Sequence, residues 1–350
     1  MPQPDATADA RAAAGSAVTA IPAEMRAWRV TRLAEPAEAL SLDVVPVPTP
    51  GPDEVLVRVA SVAANFPDVL LCRGEYQVKP ELPFSPGIEL VGTVVAAGAD
   101  VSRVAVGDRV VGSKIGVLAE YAVLPASDVW IAPRALSDAE AAGLTVAYQT
   151  AWFGLHRRAA LQAGEWLLVH AAAGGVGLAA VQLGAASGAR VIGVVGSEAK
   201  AAVARDAGAE VVLVRGADDL VAGVKTATGG HGADVVFDPV GGAAFEASTK
   251  CIAFEGRIIV VGFAGGQIQA LPAGHVLVKN YSVVGLHWGL YPRVRPDLID
   301  DARAELTRLA DDGVVRPVVD RVVPFAQAPE ALTALAGGST VGRVVIAVVP

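Results

Sequence analysis

The chain has 350 residues, of which 53% are hydrophobic and 18% are charged, so disorder along its whole length is excluded and two domains are expected. Lysine and arginine number 28 against 36 aspartate and glutamate, a net charge of −8 without a basic stripe, which argues against a nucleic-acid partner. Gly, Pro or a charge interrupts every long apolar run, so no membrane-spanning helix is predicted.

The first residues, 1–24, are rich in Pro, Ala, Gly and Asp and lack a cationic start followed by an apolar core. We predict a disordered tail there rather than a secretory signal. Cys72 and Cys251 stand alone in the sequence, which excludes a disulfide framework and a Cys-x-x-Cys metal knuckle. Isolated reduced thiols are typical of a cytoplasmic protein, and that location is predicted.

Residues 25–133 consist of short apolar stretches separated by Pro and Gly, the pattern of an irregular barrel or a sandwich. A short helix is predicted over 67–72, because Pro67 can occupy the first turn of a helix. Strands are predicted over 55–62, 90–97, 109–112 and 120–124.

From Ser137 onward the pattern changes to helices that alternate with strands. Ser137 and Glu140 have the spacing of a capping box and predict the start of a helix. The strands that follow are apolar on both faces, which indicates a parallel sheet covered by helices on both sides. We therefore predict an α/β fold with a doubly wound sheet. Its strands are predicted over 166–170, 190–195, 210–214, 233–238 and 257–262, and its helices over 175–186, 199–207 and 220–228.

After about residue 286 a helix, a strand, a helix and a strand are predicted over 297–311, 318–323, 329–335 and 341–348. The last strands could extend the parallel sheet or return to the first region. Periodicity leaves both arrangements open.

The segment VHAAAGGVGLAAVQLG joins a strand ending at His170 to a helix. Its glycines let backbone amides at the helix N-terminus approach a diphosphate, which the helix dipole also favours. Ala171 replaces the first glycine of the usual pattern. The alternative is a glycine-rich turn that binds nothing. The predicted dinucleotide contacts are Ala173, Gly174, Gly175, Val176 and Gly177.

The end of the next strand distinguishes NAD from NADP. NAD needs an acidic residue there for the ribose hydroxyls, but the strand ends in VGS and Glu198 lies beyond it. Ser197, with the cations Lys200 and Arg215, would suit the 2′-phosphate of NADP. The alternative for both cations is an ordinary exposed surface position. NADPH is the predicted cofactor, in preference to NADH.

A resemblance to a known family rests on the runs NFPDVLLCRGEY, LPFSPGIELVGTV, LHRRAALQAGEWLLVHAAAGGVGLAAVQLG and FDPVGG. The chain resembles the medium-chain dehydrogenase/reductase superfamily over residues 25–350, and within it the zinc-independent quinone oxidoreductases. The resemblance implies a GroES-like catalytic domain, residues 25–147 and 287–350, and an NADP-binding Rossmann domain, residues 148–286. It also implies a homodimer or homotetramer.

The departures from the zinc-dependent alcohol dehydrogenases concern the metal ligands. Where that branch has Gly-His-Glu this chain has Gly-Ile-Glu, ending at Glu89, and Asn65 stands near the expected cysteine ligand. Two cysteines cannot supply a four-cysteine structural zinc loop, and the five histidines never fall in ligand spacing. No metal is predicted.

On the same resemblance, three residues of the first region would carry the chemistry. Asn65 matches the active-site asparagine and would donate to a developing oxyanion, with Asp68 in the same motif. Tyr76 matches a tyrosine of the substrate cleft and would donate a hydrogen bond or a proton. The alternatives are a turn asparagine, a helix-start carboxylate and a packed tyrosine. Leu70 replaces a further tyrosine of the better-known quinone reductases.

The resemblance implies further cofactor contacts at the edge of the parallel sheet, where ligands bind in such folds. Trp288 fits packing at a subunit contact equally well. These predicted contacts are Thr145, Asp238, Val240, Gly262, Phe263, Ala264, Trp288 and Arg343, the last a basic residue near the cofactor phosphates.

Without a metal to polarise a carbonyl, the hydride acceptor must already be electron-poor. An NADPH-dependent reductase of a small-molecule quinone or related enone is therefore predicted. One alternative is a 2-alkenal or enoyl-thioester reductase. A low-turnover NADPH-binding protein with a structural or regulatory role is the alternative from another class.

Overall fold

The computed structural model describes residues 20–348. The first nineteen positions of the predicted tail, residues 1–24, lie outside the described residues, and Glu24 is already the first residue of a strand. None of the helices within residues 20–348 combines the length and the hydropathy that crossing a bilayer needs.

The first region forms antiparallel strands, and each strand predicted there is confirmed within two residues. β1 pairs with β2, while β3 pairs with both β4 and β6, and β5 pairs with β4 and β7. These strands are β1 (Glu24–Val30), β2 (Leu40–Pro46), β3 (Glu54–Ala63), β4 (Glu89–Ala97), β5 (Arg109–Ser113), β6 (Tyr121–Pro125) and β7 (Val129–Ile131).

The first four helices are α1 (Pro36–Ala39), α2 (Phe66–Arg73), α3 (Asp138–Ala142) and α4 (Thr145–Trp152). The capping box of Ser137 and Glu140 is confirmed at the start of α3. This helix is short, because Gly143 ends α3 before α4 begins, and Phe153–Arg158 continues α4 as a π-helix.

The second region is a parallel sheet, and its strand order is β10-β9-β8-β11-β12-β13. This is the order of a doubly wound dinucleotide fold, whose ligands bind where the order reverses, between β8 and β11. Its strands are β8 (Trp166–Val169), β9 (Arg190–Val195), β10 (Val211–Val214), β11 (Ala233–Asp238), β12 (Ile252–Val260) and β13 (Ser282–Gly285). Its helices are α5 (Gly175–Ala186), α6 (Glu198–Asp206), α7 (Leu220–Ala227), α8 (Ala243–Cys251) and α9 (Ala273–Lys279).

The last elements are α10 (Tyr291–Val294), α11 (Pro296–Asp311), β14 (Val319–Pro324), α12 (Ala328–Ala336) and β15 (Arg343–Ala347). Short 3-10 turns lie at Ala126–Asp128, Trp288–Leu290 and Phe325–Gln327. β15 pairs antiparallel with β3, and β14 pairs with β15, so the C-terminal strands belong to the sheet of the first region. The domain bounds at 147/148 and 286/287 stay a prediction.

One hydrophobic cluster connects the two sheets. It includes Ala63 and Val91 of the first sheet, Leu167 and Val169 of the parallel sheet, and Tyr148 of α4 between them. Interiors of this kind are close-packed and transmit displacement rather than absorbing it. The cleft between the sheets therefore has a firmly packed floor.

Candidate functional site

The start of α2 is held by a buried carboxyl group. Asp68 Oδ2 accepts a hydrogen bond from the Asn65 N–H at 2.8 Å, and its Oδ1 accepts from the Gly87 N–H at 3.0 Å. Burial raises the pKa of Asp68 to about 7, against these two bonds, which lower it. The prediction of Asp68 as a catalytic residue stays untested, and in the structure both of its carboxyl oxygens accept from backbone N–H groups.

The side-chain amide of Asn65 is fully engaged inside the protein. Its Nδ2 donates to the Ala63 carbonyl at 3.0 Å and to Glu89 Oε1 at 2.8 Å, while its Oδ1 accepts from Arg343 Nη2 at 3.0 Å. An amide nitrogen has two hydrogens to donate. The role of Asn65 as an oxyanion donor stays a prediction, and it would require one of these two hydrogens to leave its present acceptor.

Glu89, at the start of β4, is the centre of this polar group. Its side chain is 0% exposed, its Oε1 accepts from both Asn65 and Arg343, and its Oε2 accepts from the Val146 N–H at 2.8 Å. Burial raises the pKa of Glu89, and the adjacent Arg343 guanidinium opposes that rise. Sequence reasoning considered Glu89 only beside a metal, although a charge in an apolar strand pattern was a usable signal.

Arg343 lies between this group and the glycine loop, residues 171–177. Its buried side chain fills the space that a Cβ would need at Gly143 and at Gly175, where Nη1 would lie 2.7 Å from that Cβ. Its Nη2 is bound to Glu89 and Asn65. The role of Arg343 as a cofactor-phosphate ligand stays a prediction, and in the structure Arg343 is an internal counter-ion of Glu89 that adjoins the loop.

The glycine loop leaves the N-terminus of α5 open. The helix begins at Gly175 after the N-cap Gly174, which has no side chain to cap it, and the first amides of any helix lack intrahelical acceptors. A Cβ on Gly177 would overlap the carbonyl oxygen of Ala171. Val176 lies half-buried between these glycines. The loop is thus a cradle of bare backbone amides suited to an anion.

The other end of the loop is tied to the C-terminal region. The Ala173 carbonyl accepts a hydrogen bond from the Gly342 N–H at 2.8 Å. Ala171, which stands in place of a glycine, has a φ of 50°, in the left-handed region that favours glycine. The alanine therefore keeps the glycine conformation at some cost in strain.

The three residues predicted to bind a 2′-phosphate differ in exposure and in the hydrogen bonds that they already make. Ser197 is the exposed N-cap of α6, and Arg215 is exposed with Nη2 3.5 Å from the position of a Cβ on Gly196. Lys200 is half-buried, and its Nζ donates to the Gly338 carbonyl at 2.8 Å. Arg215 is therefore the better placed cation, and Lys200 has two ammonium hydrogens left.

The loops after β11 and β12 lie side by side at the reversal point of the sheet. Asp238 Oδ1 accepts from the N–H groups of Val240 and Gly241, and the Ala264 N–H donates to the Pro239 carbonyl. The buried Asp238 Oδ2 has no hydrogen-bond partner among the described residues. The predicted contacts in these loops are Asp238, Val240, Gly262, Phe263 and Ala264. Some backbone groups of these loops already form hydrogen bonds within the protein, whereas Asp238 Oδ2 is an acceptor without a partner among the described residues.

Two more unpaired polar groups lie on α4. In the part of the chain that the structure describes, the hydroxyl of Thr145 and both amide atoms of Gln149 are buried without a partner. Residues four apart share one face of a helix. Sequence reasoning missed Gln149, although a polar residue one turn after Thr145 was visible. Trp288 is half-buried in an aromatic cluster with Phe153, and within residues 20–348 its Nε1 also lacks a partner.

Tyr76 follows α2, just beyond its C-cap Gly74. The Tyr76 side chain is half-buried, and the Tyr76 backbone N–H donates to the Leu70 carbonyl at 3.3 Å. Burial raises the pKa of the Tyr76 phenol, and the nearby Asp68 adds to that rise. The phenol thus stays protonated at neutral pH and retains a hydrogen to donate.

Two families match the chain. The family described as "Alcohol dehydrogenase GroES-like domain" matches residues 51–134, and the family described as "Zinc-binding dehydrogenase" matches residues 175–310.

The second family name implies zinc. Residues 20–348 contain no group of three or more His, Cys, Asp or Glu side chains that could hold a metal. The oxygens of Asp68 and Glu89 already accept hydrogen bonds, and the Arg343 cation lies on Glu89. Zinc requires several imidazole, thiolate or carboxylate donors, and the residues present do not fit it.

Curated relatives are similar along most of the chain. A quinone oxidoreductase-like protein 2 homolog of Nematostella vectensis is 41% identical over 300 residues, 85% of this chain and 82% of that protein. Quinone oxidoreductase-like protein 2 of Rattus norvegicus is 37% identical over 326 residues, 92% of this chain and 93% of that one. The solved Escherichia coli quinone oxidoreductase complexed with NADPH superposes with a TM-score of 0.86 at 29% identity, over 92% of this chain and 100% of that one.

Proposed function

Because the chain is an oxidoreductase of the zinc-independent quinone oxidoreductase subgroup within the medium-chain dehydrogenase/reductase superfamily, we propose that it transfers hydride from NADPH to a quinone or a related electron-poor carbonyl compound. The observation that carries this proposal is the open N-terminus of α5. Its amides face a bend where a Cβ on Gly177 would overlap backbone, and such a cradle suits a dinucleotide diphosphate.

Several of the residues present support the binding of NADPH. Residues 173–177 would hold the diphosphate, and Ser197 with Arg215 would hold the 2′-phosphate, with Lys200 in support. The unpaired Asp238 Oδ2 would accept a hydrogen bond from a cofactor N–H or hydroxyl, and the unpaired Thr145 hydroxyl would contact the nicotinamide end. A buried polar atom without a partner is costly unless a ligand or water satisfies it.

NADPH supplies a hydride from the nicotinamide C4, which reduces a quinone once a proton is also added. The side chains decide where that proton originates. Tyr76 keeps its phenol protonated, so it is the proposed donor to the quinone oxygen, with water as the alternative source. Asn65 orients the site through Glu89 and Arg343 rather than by holding the reduced oxygen.

Steady-state oxidation of NADPH by the purified protein tests the proposal. The panel contains quinones, 2-alkenals and enoyl thioesters, each with NADPH and with NADH, in the presence and absence of a chelator. We expect quinone-dependent oxidation of NADPH, slower oxidation of NADH and no effect of the chelator. Turnover of enoyl thioesters alone would contradict the acceptor, a preference for NADH would contradict the cofactor, and binding without turnover would support the low-turnover alternative.

The oligomeric state is part of the same proposal. Helix α9 exposes Leu277 and Val278, which are 77% and 78% accessible, and it lies beside β13, the last strand in the order of the parallel sheet. Contiguous exposed apolar groups of this kind mark association surfaces. We propose that a second copy covers this face in a homodimer or homotetramer. Light scattering should report an oligomer, and Leu277→Asp/Val278→Asp should reduce its mass.

A further inference from the structure

Glu89 connects β4 to three other segments through one buried carboxylate. It accepts hydrogen bonds from Asn65 at the start of α2, from Arg343 at the start of β15 and from Val146 in the first turn of α4. We propose that Glu89 is a positioning residue for hydride transfer, which holds the first turn of α4 and the glycine loop in fixed register. This inference rests on the proposed function.

The first segment that Glu89 positions is the beginning of α4. The Val146 N–H, one of the amides that a helix cannot satisfy internally, donates to Glu89 Oε2 at 2.8 Å. Thr145 precedes it directly, and in the described residues its buried hydroxyl has no partner. Glu89 therefore fixes the position from which Thr145 would meet the nicotinamide end of the cofactor.

The second segment that Glu89 positions is the glycine loop. Glu89 accepts a hydrogen bond from Arg343 Nη2. The other side of the Arg343 side chain lies against Gly175, where Cδ and Nη1 are within 2.8 Å of the position that a Cβ on Gly175 would occupy. The neighbouring Gly342 N–H also binds the Ala173 carbonyl. In a close-packed interior, a shift of Arg343 must displace the loop.

The charges make this arrangement sensitive to a neutral replacement. Glu89 and Arg343 are both buried, so removal of either charge leaves the other uncompensated in a medium of low dielectric. Glutamine at position 89 would also replace one acceptor oxygen by an NH2 group. That NH2 group would face another donor, which is either the Val146 N–H or the pair Asn65 Nδ2 and Arg343 Nη2. An isosteric variant therefore disturbs both segments without opening a cavity.

A buried ion pair can also serve folding alone, and a matched pair elsewhere separates the two roles. Arg257 donates to both oxygens of Glu165 at 2.8 and 2.9 Å, with both side chains largely buried. This pair joins the loop before β8 to β12, away from the amides of the glycine loop. Its loss should lower stability without changing hydride transfer.

The experiment compares the full-length wild type with Glu89→Gln and with Glu89→Met/Arg343→Met, and uses Glu165→Gln and Glu165→Met/Arg257→Met as controls. Replacement of a buried pair by apolar residues of similar volume often preserves stability, so the double variant supplies a folded protein even if Glu89→Gln does not fold. Measurements are thermal unfolding, the NADPH Kd from fluorescence, kcat with para-benzoquinone, and the deuterium isotope effect with NADPH labelled at the transferred hydrogen.

We expect the Glu89 variants to lose about tenfold to a hundredfold in kcat, with a larger isotope effect, because hydride transfer depends on donor–acceptor geometry. The NADPH Kd should also rise, by about threefold to tenfold, because a shift of Arg343 displaces the glycine loop while its backbone amides remain. Wild-type kcat and isotope effect in the folded Glu89 variants, or an equal loss in the Glu165 controls, would overturn the inference. A wild type that binds no NADPH would instead overturn the proposed function itself.

Discussion

The glycine loop and the Asn65–Glu89–Arg343 group lie side by side, but they use their polar atoms in opposite ways. The amides at the start of α5 lie in a bend without a capping side chain among the described residues. Asn65 and Glu89, by contrast, direct their hydrogen-bonding atoms to one another, to Arg343 and to backbone. The loop is therefore prepared for a ligand, whereas the polar atoms of Asn65 and Glu89 in the buried group are already paired, and only the Arg343 Nε lacks a partner among the described residues.

The difference follows from the kind of group involved. Backbone amides at a helix start have no intrahelical partner, so an anion can bind them without breaking a protein hydrogen bond. Buried side-chain charges must be paired within the protein, and a ligand would have to displace that partner. Residues that look catalytic in a motif can consequently be structural in the fold.

The largest expected effect is on the loop. Gly177→Ala places a Cβ against the Ala171 carbonyl oxygen, which belongs to rigid backbone, so the start of α5 must move. We expect the NADPH Kd to rise about a hundredfold or more by fluorescence titration. Gly274→Ala in α9 is the control, since a Cβ there meets no atom within 4 Å. Wild-type NADPH affinity in Gly177→Ala would show that the diphosphate binds elsewhere.

The next effect concerns the pH dependence of stability that arises from Asp68, whose carboxyl accepts from the Asn65 N–H. The pKa of Asp68 is raised from 3.8 to about 7 by burial, so its contribution to stability is fully present below the unfolded value and is lost as pH rises toward 7. Relative to Asp68→Asn, the wild type should lose about 1.4 kcal/mol of unfolding free energy per pH unit over that window.

Urea unfolding of both proteins between about pH 4 and about pH 8 measures this difference. Parallel pH profiles for the wild type and Asp68→Asn would mean that Asp68 is ionised throughout and that its two backbone hydrogen bonds outweigh its burial.

A smaller effect separates the two cations near the 2′-phosphate. Arg215 is exposed beside Gly196, whereas Lys200 is bound to the Gly338 carbonyl. Arg215→Ala should raise the KM for NADPH about tenfold and leave that for NADH unchanged, since only NADPH has the phosphate. Lys200→Ala should act in the same direction but more weakly. A larger effect of Lys200→Ala would reverse this ranking.

The smallest effect is on the strained position of the loop. Ala171 has a φ of 50°, which glycine adopts without steric conflict. Ala171→Gly should change the unfolding free energy by no more than about 1 kcal/mol, in the stabilising direction, because relief of strain exceeds the added flexibility of the unfolded chain. Thermal unfolding measures this change in stability, and a clear loss of stability in Ala171→Gly would contradict the presence of strain at Ala171.

Much of the fold was predictable from the sequence. Five of the six strands of the parallel sheet and the helix Gly175–Ala186 follow from apolar period and glycine placement, although β12 begins five residues before its predicted start and β13 was not predicted. The end of α3 at Gly143 was not predicted from the sequence, and neither was the Arg343 side chain that occupies the space beside that glycine. That contact joins residues two hundred positions apart.

The candidate site was predictable only in part. Asn65 and Arg343 lie together around Glu89, and Asp68 binds the Asn65 N–H, but the roles predicted for these residues depend on which of their atoms are free. Glu89 and Gln149 were missed as functional candidates, since a single polar residue in an apolar pattern does not reveal its partner. Hydrogen-bond pairing is a tertiary property and leaves no periodic trace.

The amino-acid sequence by itself determined the open helix start and the order of strands and helices, because these depend on neighbouring residues and on backbone chemistry. Only the tertiary structure decided that β15 returns to β3 and brings Arg343 onto Glu89. A buried charge is stable only beside its counter-ion, and which distant segment supplies that counter-ion is settled by how the sheets pack.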